Sequence, residues 1–370
     1  MTTDRLGLYV HIPYCVRKCN YCDFCSLPCG RDGVPDAYVA RLCDEIESYR
    51  DRVSVPLDTV YFGGGTPSLL SVGQMQRIFA SIRDTFTFSP CAEITFEANP
   101  GTLTEDKARA FYKLGFNRIS LGLQSIHEKE MKKLGRIHTY EEFLSCYRAV
   151  RAAGFDNVSV DLMYGIPYQT KESFEESVRA VVALSPEHVS AYGLILEEGT
   201  PFYREDGLPL PSLDDECDMY GIVGEILGAA GYEHYEISNY AREGFRSRHN
   251  SLYWHLGEYI GVGAAAHSFL QGRRFYNTDD VGLYIDGTQP QTVCDEDTDI
   301  AYEYVMLGLR LKEGISLADY EGRFGRSLTE GKEAVIERLA REGLLTLADG
   351  RIALTERGFY LSNSILIEIL

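Results

Sequence analysis

Four cysteines lie close together near the start of the chain, at Cys15, Cys19, Cys22 and Cys25. Their thiolates could bind zinc, form disulfides or hold an iron–sulfur cluster. Structural zinc usually takes four ligands arranged in two separate pairs, whereas these cysteines come from one crowded segment. A [4Fe–4S] cluster held by only three cysteines would instead leave one iron open to an external ligand. The spacing by itself leaves zinc and the cluster as competing interpretations.

The composition argues for a metal rather than for disulfides. The sequence has 370 residues, ten cysteines and a formal net charge of −19. No apolar run is long enough to cross a bilayer, and the first residues lack the layout of a signal peptide. We therefore expect a cytoplasmic protein with no transmembrane segment, in which thiols stay reduced. The negative charge argues against nucleic acid as a partner, so small molecules and proteins are the expected ligands.

The first 200 residues alternate short β-rich runs with amphipathic helices, which predicts a parallel sheet. The six strand runs are LGLYVHI, TVYF, EITFE, NRISLG, NVSVDLM and HVSAYGLI. Thr104 begins a predicted helix that Gly115 ends. Thr139 and Glu142 form a capping box for a second helix, which ends at Gly154. This α/β pattern predicts a partial (β/α)6 barrel of the TIM type, with an open side for a large ligand.

Polar and glycine residues follow several of these strands. They are Gly63 to Thr66, Glu97, Gln124 and Asp161. The ends of barrel strands are where active sites are built, and a glycine turn lets the backbone approach a ligand closely. Each residue also has an ordinary structural explanation, because strand-end carboxylates often cap helices and glycine runs are often plain loops.

The second half of the chain changes character twice. Residues 200–295 are rich in Gly, Tyr and Pro, and we assign no elements there. After Thr298 come helices and then two short strands around Asp349 and Gly350, a pair typical of tight hairpins, which together predict a winged-helix-like domain. Residues 299–370 carry 9 Lys and Arg against 12 Asp and Glu, which argues against DNA binding. The predicted division is a core at 1–235, an irregular segment at 236–297 and a C-terminal domain at 298–370.

Tyr9, the first three cysteines and Phe24 resemble the opening strand and loop of radical S-adenosylmethionine (SAM) enzymes. The resemblance implies that Cys15, Cys19 and Cys22 hold a [4Fe–4S] cluster and that SAM binds its open iron. It also requires a glycine-rich turn after the second strand, where this chain has Gly63 to Thr66.

The resemblance is sharper to the coproporphyrinogen dehydrogenase-like subfamily. Four polar residues stand at its cofactor-contacting places in matching order: Glu97, Gln124, Arg136 and Asp161. By a looser alignment, Ile195 offers its backbone to the adenine. The subfamily fold is a radical SAM partial barrel with a winged-helix-like C-terminal domain (HemN_C). The implied cofactor contacts are Tyr9, Phe24, Gly64, Gly65, Thr66, Glu97, Gln124, Arg136, Asp161 and Ile195.

Phe24 and a later motif separate two branches of this subfamily. Oxygen-independent coproporphyrinogen III dehydrogenases typically carry a cysteine at the place of Phe24 and a longer N-terminal extension. The heme chaperone branch carries phenylalanine there and a His-Asn-x-x-Tyr-Trp motif, which this chain has at 249–254. This resemblance implies heme binding and heme transfer to an acceptor protein, for example a respiratory enzyme. It leaves open a homodimer and peripheral membrane association through partners.

An enzyme is the alternative to a chaperone. The same cofactor site could act on a tetrapyrrole, as a coproporphyrinogen III dehydrogenase or as a methyltransferase. A shared scaffold cannot distinguish these activities.

His249 is the first candidate ligand for heme iron within the motif. A neutral imidazole is a good axial ligand, and Tyr253 and Trp254 offer apolar faces to a porphyrin. His267 is the second candidate. The alternative is that His249 and Asn250 satisfy loop backbone while Trp254 fills core.

Cys25 departs from the pattern of the heme chaperone branch, and Cys29 follows soon after it. Each is either an idle thiol or a substitute ligand or redox-labile group.

Overall fold

A computed structural model describes residues 5–30, 32–288, 291–293 and 299–370. The first four residues, on which the signal-peptide argument partly rests, lie outside these ranges. So does the predicted boundary between residues 297 and 298.

One large sheet and two small ones organise the chain. The strands are β1 Leu6–Ile12, β2 Tyr14–Cys15, β3 Leu27–Pro28, β4 Leu57–Gly64, β5 Phe88–Ala98, β6 Arg118–Gln124, β7 Val158–Tyr164, β8 His188–Gly193, β9 Glu233–Glu236, β10 Asn239–Ala241, β11 Tyr259–Val262, β12 His267–Leu270, β13 Arg273–Tyr276, β14 Thr292–Val293, β15 Ile315–Ser316, β16 Leu345–Ala348 and β17 Arg351–Leu354. The large sheet has the order β14-β13-β12-β11-β1-β4-β5-β6-β7-β8-β10-β9.

Six neighbouring strands of this sheet, β1 and β4 to β8, run parallel to one another. Each of them overlaps one of the six predicted strand runs, and β1 has the predicted bounds. The prediction of a partial α/β barrel is confirmed.

Helices connect the parallel strands and make up much of the chain that follows them. They are α1 Asp36–Glu47, α2 Val72–Thr85, α3 Glu105–Leu114, α4 Glu128–Leu134, α5 Tyr140–Ala153, α6 Lys171–Leu184, α7 Leu213–Ala229, α8 Arg248–Trp254, α9 Val281–Asp286, α10 Ile300–Gly308, α11 Leu317–Phe324, α12 Glu333–Arg341, α13 Glu356–Tyr360 and α14 Ser362–Ile369. The predicted ends of α3 and α5 are confirmed. Thr104 caps α3, the capping box of Thr139 and Glu142 begins α5, and both helices end at a left-handed glycine.

Packed aromatic rings hold the helices against the sheet. Phe96 of β5 is fully buried, and its ring centroid lies 5.2 Å from that of Phe111, 5.1 Å from that of Phe116 and 5.9 Å from that of Phe155. Phe111 belongs to α3. Because these side chains are buried together, the core fixes the orientation of β5 and of the polar residues at its end.

The segment for which no elements were assigned adds strands to both edges of the sheet. β11 pairs parallel with β1, and β10 pairs antiparallel with β8. The predicted boundary at residue 235 falls inside β9. These strands have only two to four residues each, too few for a clear period in the sequence.

The C-terminal residues fold around a second core with a three-stranded sheet of order β15-β17-β16. The predicted hairpin is confirmed, because β16 and β17 pair antiparallel on either side of Asp349 and Gly350. Both turn residues have positive φ, as a type I′ turn requires. Tyr220 of α7 packs into this core, and Glu356 of α13 lies 2.7 Å from His234 of β9. The winged-helix-like domain is thus attached directly to the sheet.

Within the described residues, no helix is both long and apolar enough to cross a membrane.

Candidate functional site

A cavity of about 560 Å³ opens at the ends of the barrel strands. It collects the predicted cluster ligands and the predicted SAM contacts except Tyr9, whereas the candidate heme ligands His249 and His267 lie outside it. Those that line it are Cys15, Cys19, Cys22, Phe24, Gly64, Gly65, Thr66, Glu97, Gln124, Arg136, Asp161 and Ile195. The sheet topology explains this convergence, because parallel strands bring their C-terminal ends to one edge.

The cysteine loop, residues 13–29, leaves the sheet directly after β1. Hydrogen bonds join its beginning to its end. Strand β2, which ends at Cys15, pairs with β3, and the N–H of Cys29 donates to the carbonyl oxygen of Cys15 at 2.8 Å. Cys15, Cys19 and Cys22 turn towards the cavity. Burial raises the pKa of the Cys22 thiol to about 11, and the neighbouring Cys19 and Cys15 add to the rise. A bound metal centre would hold the Cys22 side chain as a thiolate near neutral pH.

The arrangement of these sulfurs bears on the choice between zinc and a cluster. Within the described residues, no three or more His, Cys, Asp or Glu side chains are placed to hold one metal ion. A single tetrahedral zinc needs its ligands to converge at about 2.3 Å from one point. A cluster spreads its thiolates over separate irons. The resemblance to radical SAM enzymes, rather than this geometry, is what favours the cluster.

The two extra cysteines of this segment do not line the cavity. The Cys25 thiol donates to the carbonyl oxygen of Asp279 at 3.3 Å, and the Cys29 thiol donates to that of Cys15 at 3.4 Å. Both side chains are thus turned to backbone acceptors, which favours the interpretation of idle thiols.

Contacts within the protein fix the conformation of the glycine turn after β4. The N–H of Gly65 donates to the carbonyl oxygen of Ile12 at 2.9 Å. A Cβ atom at Gly65 would lie only 2.6 Å from the carbonyl oxygen of Tyr14. Gly64 has a φ of 106°, in the region that favours glycine. The glycines let β4 approach the base of the cysteine loop, whatever ligand the turn also contacts.

Replacing Gly65 with alanine should therefore destabilise the protein by about 1–3 kcal/mol, because the new methyl group meets backbone that must shift. The measurement is the free energy of unfolding of the metal-free protein in denaturant. Gly73→Ala is the matched control, since a Cβ atom there meets nothing within 4 Å on helix α2. Equal stability of the two variants would contradict the role assigned to Gly65.

Two partly buried carboxylates line the cavity, Glu97 on β5 and Asp161 on β7. Glu97 accepts a hydrogen bond from the Tyr61 hydroxyl at 2.8 Å, and Asp161 accepts one from Ser120 at 2.9 Å. Burial raises the pKa of Glu97 to about 7, and the charge of Asp161 adds to the rise. Burial also raises the pKa of Asp161. The pair would favour a ligand that brings a positive charge or hydrogen-bond donors.

A hydrogen-bonded chain links the cysteine loop to the barrel strands through Asn99, which the sequence interpretation missed. The Thr66 hydroxyl donates to Cys15 Sγ at 3.4 Å, and Asn99 Nδ2 donates to Thr66 Oγ1 at 3.0 Å. Arg136 Nη2 donates to Asn99 Oδ1 at 2.6 Å, and Arg136 Nη1 lies 3.8 Å from Cys19 Sγ. The chain thus joins two of the predicted cluster cysteines. The only sequence feature that could have indicated this chain is the position of Asn99, two residues beyond Glu97.

Gln124 carries backbone strain at the end of β6. Its φ of 68° lies in the left-handed region, although it is not glycine. It is buried, and its Oε1 has no hydrogen-bond partner within the described residues. Arg136 Nε is likewise buried without a partner there. Two unsatisfied polar atoms facing one cavity fit a polar ligand that would complete them.

Comparison with known proteins places this site in a family. The model of the Radical SAM superfamily matches residues 9–181, and the model of the HemN C-terminal domain matches residues 296–361. The heme chaperone HemW of Lactococcus lactis is 37% identical to this chain, over 96% of this chain and 95% of the relative. HemW of Escherichia coli is 36% identical, over 98% and 97%. This chain belongs to the HemW family.

A solved structure agrees with the fold of this HemW-family chain. Coproporphyrinogen III oxidase (HemN) from Escherichia coli superposes with a TM-score of 0.84, covering 98% of this chain and 89% of that one. The two sequences are 22% identical, so this likeness shows the fold alone. Membership of the radical SAM superfamily implies a [4Fe–4S] cluster and SAM.

Tyr9 and His249, two predicted residues that lie outside the cavity of this HemW-family chain, are held by hydrogen bonds. A hydrogen bond of 2.9 Å joins the Tyr9 hydroxyl to His11 Nδ1. His249 is buried, and its Nδ1 and Nε2 lie 2.7 Å from the hydroxyls of Thr59 and Tyr253.

This geometry argues against the prediction that His249 binds heme iron. Both ring nitrogens are hydrogen-bonded, so coordination through either one would break a hydrogen bond and leave its hydroxyl partner unpaired. Burial lowers the pKa of His249 to about 3. The alternative, in which His249 and Asn250 satisfy loop backbone and Trp254 fills core, agrees with the structure only in part. The Trp254 ring packs under Arg310 at 4.4 Å, but Asn250 lines the cavity.

Proposed function

We propose that this chain is a heme chaperone that binds a [4Fe–4S] cluster and SAM in the cavity and transfers heme to an acceptor protein. The observation that supports it best is the likeness to HemW proteins, which extends over nearly the whole chain at 36–37% identity. An acceptor among respiratory enzymes and a homodimer rest on the family resemblance, and a cytoplasmic location rests on the sequence pattern. All three stay predictions.

The described side chains suggest how the cavity would hold its cofactors. Cys15, Cys19 and Cys22 are the proposed cluster ligands, and the bound cluster with SAM would supply one-electron chemistry. Arg136 places a positive charge beside Cys19, which would stabilise a thiolate there. Phe24 and Ile195 are more than half exposed at the cavity and would offer apolar surface.

The polar side chains of the cavity would bind the amine and hydroxyl groups of SAM. Glu97 and Asp161 offer carboxylate oxygens, and Gln124 offers an unpaired Oε1. Gly64, Gly65 and Thr66 bring a turn of backbone to the same cavity. Tyr9 does not line the cavity. Its ring stacks on the ring of Tyr61, with 6.3 Å between the centroids, so Tyr9 would hold this cavity-lining side chain in place.

SAM affinity should rise with pH if Glu97 accepts hydrogen bonds from the SAM amine. The pKa of Glu97 near 7 means that the carboxyl group loses its proton as the pH rises through neutrality. A carboxylate accepts hydrogen bonds more strongly than a carboxylic acid, so the affinity should increase about tenfold between pH 6 and 8. The measurement is anaerobic equilibrium dialysis of labelled SAM against protein with a full cluster.

Glu97→Gln is the control, because it keeps the shape of the side chain and removes its titration. Titration of the SAM amine itself affects both proteins equally. Identical pH profiles for the variant and the wild type would therefore contradict the role of Glu97.

Heme transfer tests the proposed function directly. The anaerobically reconstituted protein is loaded with hemin, separated from free hemin, and mixed with apomyoglobin as a probe acceptor. We expect one hemin per chain and its appearance in myoglobin. The proposal fails if the protein binds no hemin. It also fails if the protein converts coproporphyrinogen III to protoporphyrinogen IX with 5′-deoxyadenosine formed in step, which is the enzyme alternative.

A further inference from the structure

The hydrogen bonds of the histidines restrict which side chain could bind heme iron. The chain has eight histidines, and the structure describes all of them. Five of them have both ring nitrogens engaged in hydrogen bonds: His11, His188, His234, His249 and His255. A sixth, His127, has its Nε2 at 3.0 Å from the carbonyl oxygen of Ser173. Within the described residues, only His138 and His267 have neither nitrogen hydrogen-bonded.

His138 is the unusual member of this pair, because it is buried. Its exposed fraction is 6%, and its Nε2 has no hydrogen-bond partner in the described part of the chain. It lies between α4 and α5, two residues after Arg136, and lines the same cavity as the cysteines. A buried ring nitrogen normally has a partner, so something outside the protein chain is expected to complete it.

The imidazole is suited to a metal rather than to proton transfer. Burial lowers the pKa of His138 to about 3, and the charge of Arg136 lowers it further. The ring therefore stays neutral at physiological pH, with a lone pair free for a metal. No hydrogen bond has to break for this ring to turn towards a ligand, in contrast to His249.

The surroundings of His138 match a flat apolar ligand. Three large apolar side chains at the cavity are mostly exposed: Phe24 at 66%, Ile137 at 54% and Ile195 at 66%. Ile137 is the immediate neighbour of His138. Exposed apolar groups clustered at one cavity mark a binding surface, and a porphyrin ring would cover them.

The charged groups at the cavity give such a ligand an orientation. Arg17 and Lys18 of the cysteine loop line the cavity, as do the acidic Asp23 and Glu197. Lys18 Nζ donates to the carbonyl oxygen of Phe24 at 3.0 Å. In a chain of net charge −19, Arg17 and Lys18 would place positive charge beside the two propionates.

We propose that His138 is the axial ligand of the heme iron, with the porphyrin seated against Phe24, Ile137 and Ile195 at the mouth of the cavity. This inference rests on the proposed heme chaperone function and names the iron ligand within it. His267, the other free imidazole, is exposed on β12 and stacks on Tyr276 at 5.0 Å, and it does not line the cavity.

Hemin binding to full-length reconstituted variants tests the ligand. For His138→Ala we expect about tenfold or more weaker hemin affinity and a shift of the Soret band and of the ferric electron paramagnetic resonance signal, because the iron loses its imidazole ligand. Added imidazole should restore the wild-type spectrum by entering the space left by the ring. His138→Gln is a second variant in case alanine impairs folding. His267→Ala is the matched control and should behave as the wild type.

The outcomes separate the inference from the function on which it depends. If wild-type protein binds no hemin, the proposed function itself fails. If wild-type protein binds hemin and both His138 variants keep its spectrum and affinity, the ligand assignment is overturned while the function stands. A spectral change in His267→Ala with none in the His138 variants would move the ligand to β12 and equally overturn the assignment.

Discussion

Replacing Cys19 with serine is expected to abolish the iron–sulfur cluster. Cys19 is one of three cysteines whose side chains line the cavity, and Arg136 contacts its sulfur. Serine is a poor ligand for iron in such clusters, and two remaining thiolates cannot hold a cube. After anaerobic reconstitution, we expect about four iron and four sulfide per wild-type chain and less than about one of each in the variant.

Cys25→Ser is the matched control for this experiment, because it removes a thiol from the same loop. Its sulfur donates to the carbonyl oxygen of Asp279 and does not line the cavity. The control variant should keep the full iron content of the wild type. Loss of the cluster in Cys25→Ser, or its survival in Cys19→Ser, would mean that another set of cysteines holds the metal.

Replacing Arg136 with glutamine should weaken SAM binding by about 100-fold or more. The guanidinium group donates to Asn99 Oδ1 at 2.6 Å and to the carbonyl oxygen of Gly122 at 2.9 Å, and it lies against Cys19 Sγ. Removing it leaves partly buried acceptors unpaired and takes a positive charge from beside the cluster. Hydrogen bonds from a charged group are worth about 1.5–3 kcal/mol each. The measurement is SAM affinity by anaerobic dialysis, at equal iron content.

Two further variants make this prediction specific. Arg136→Lys keeps the charge but loses the forked geometry, so it should fall between wild type and Arg136→Gln. Arg109→Gln removes an exposed guanidinium that pairs with Glu105 one turn earlier on α3, and it should leave SAM affinity unchanged. Wild-type affinity in Arg136→Gln would refute the proposed role of the guanidinium.

The parallel strands could be predicted because their signals are local. β1, for example, is a run of seven residues whose side chains are nearly all buried, and it is bounded by the polar terminus and the cysteine loop. β11 could not be predicted in the same way. It has four residues, and its partner β1 lies about 250 positions earlier in the chain. A pairing of that kind leaves no period in the sequence.

The site shows the same division between local and distant information. The cysteines and the strand-end residues were predicted because type and position sufficed, and the structure brings them to one cavity. The hydrogen bonds of His249 could not be predicted, because its partners Thr59 and Tyr253 come from a distant strand and from the next turn of α8. His138 attracted no notice because a missing hydrogen bond becomes visible only in three dimensions. Its functional role remains a proposal.

The central claim is a [4Fe–4S] cluster with one iron open to SAM. The most direct measurement is electron paramagnetic resonance of the anaerobically reconstituted, dithionite-reduced protein, recorded with and without SAM. We expect the signal of a reduced [4Fe–4S] cluster and a clear change in its shape when SAM is added. A silent spectrum from protein that carries one zinc per chain would contradict the account.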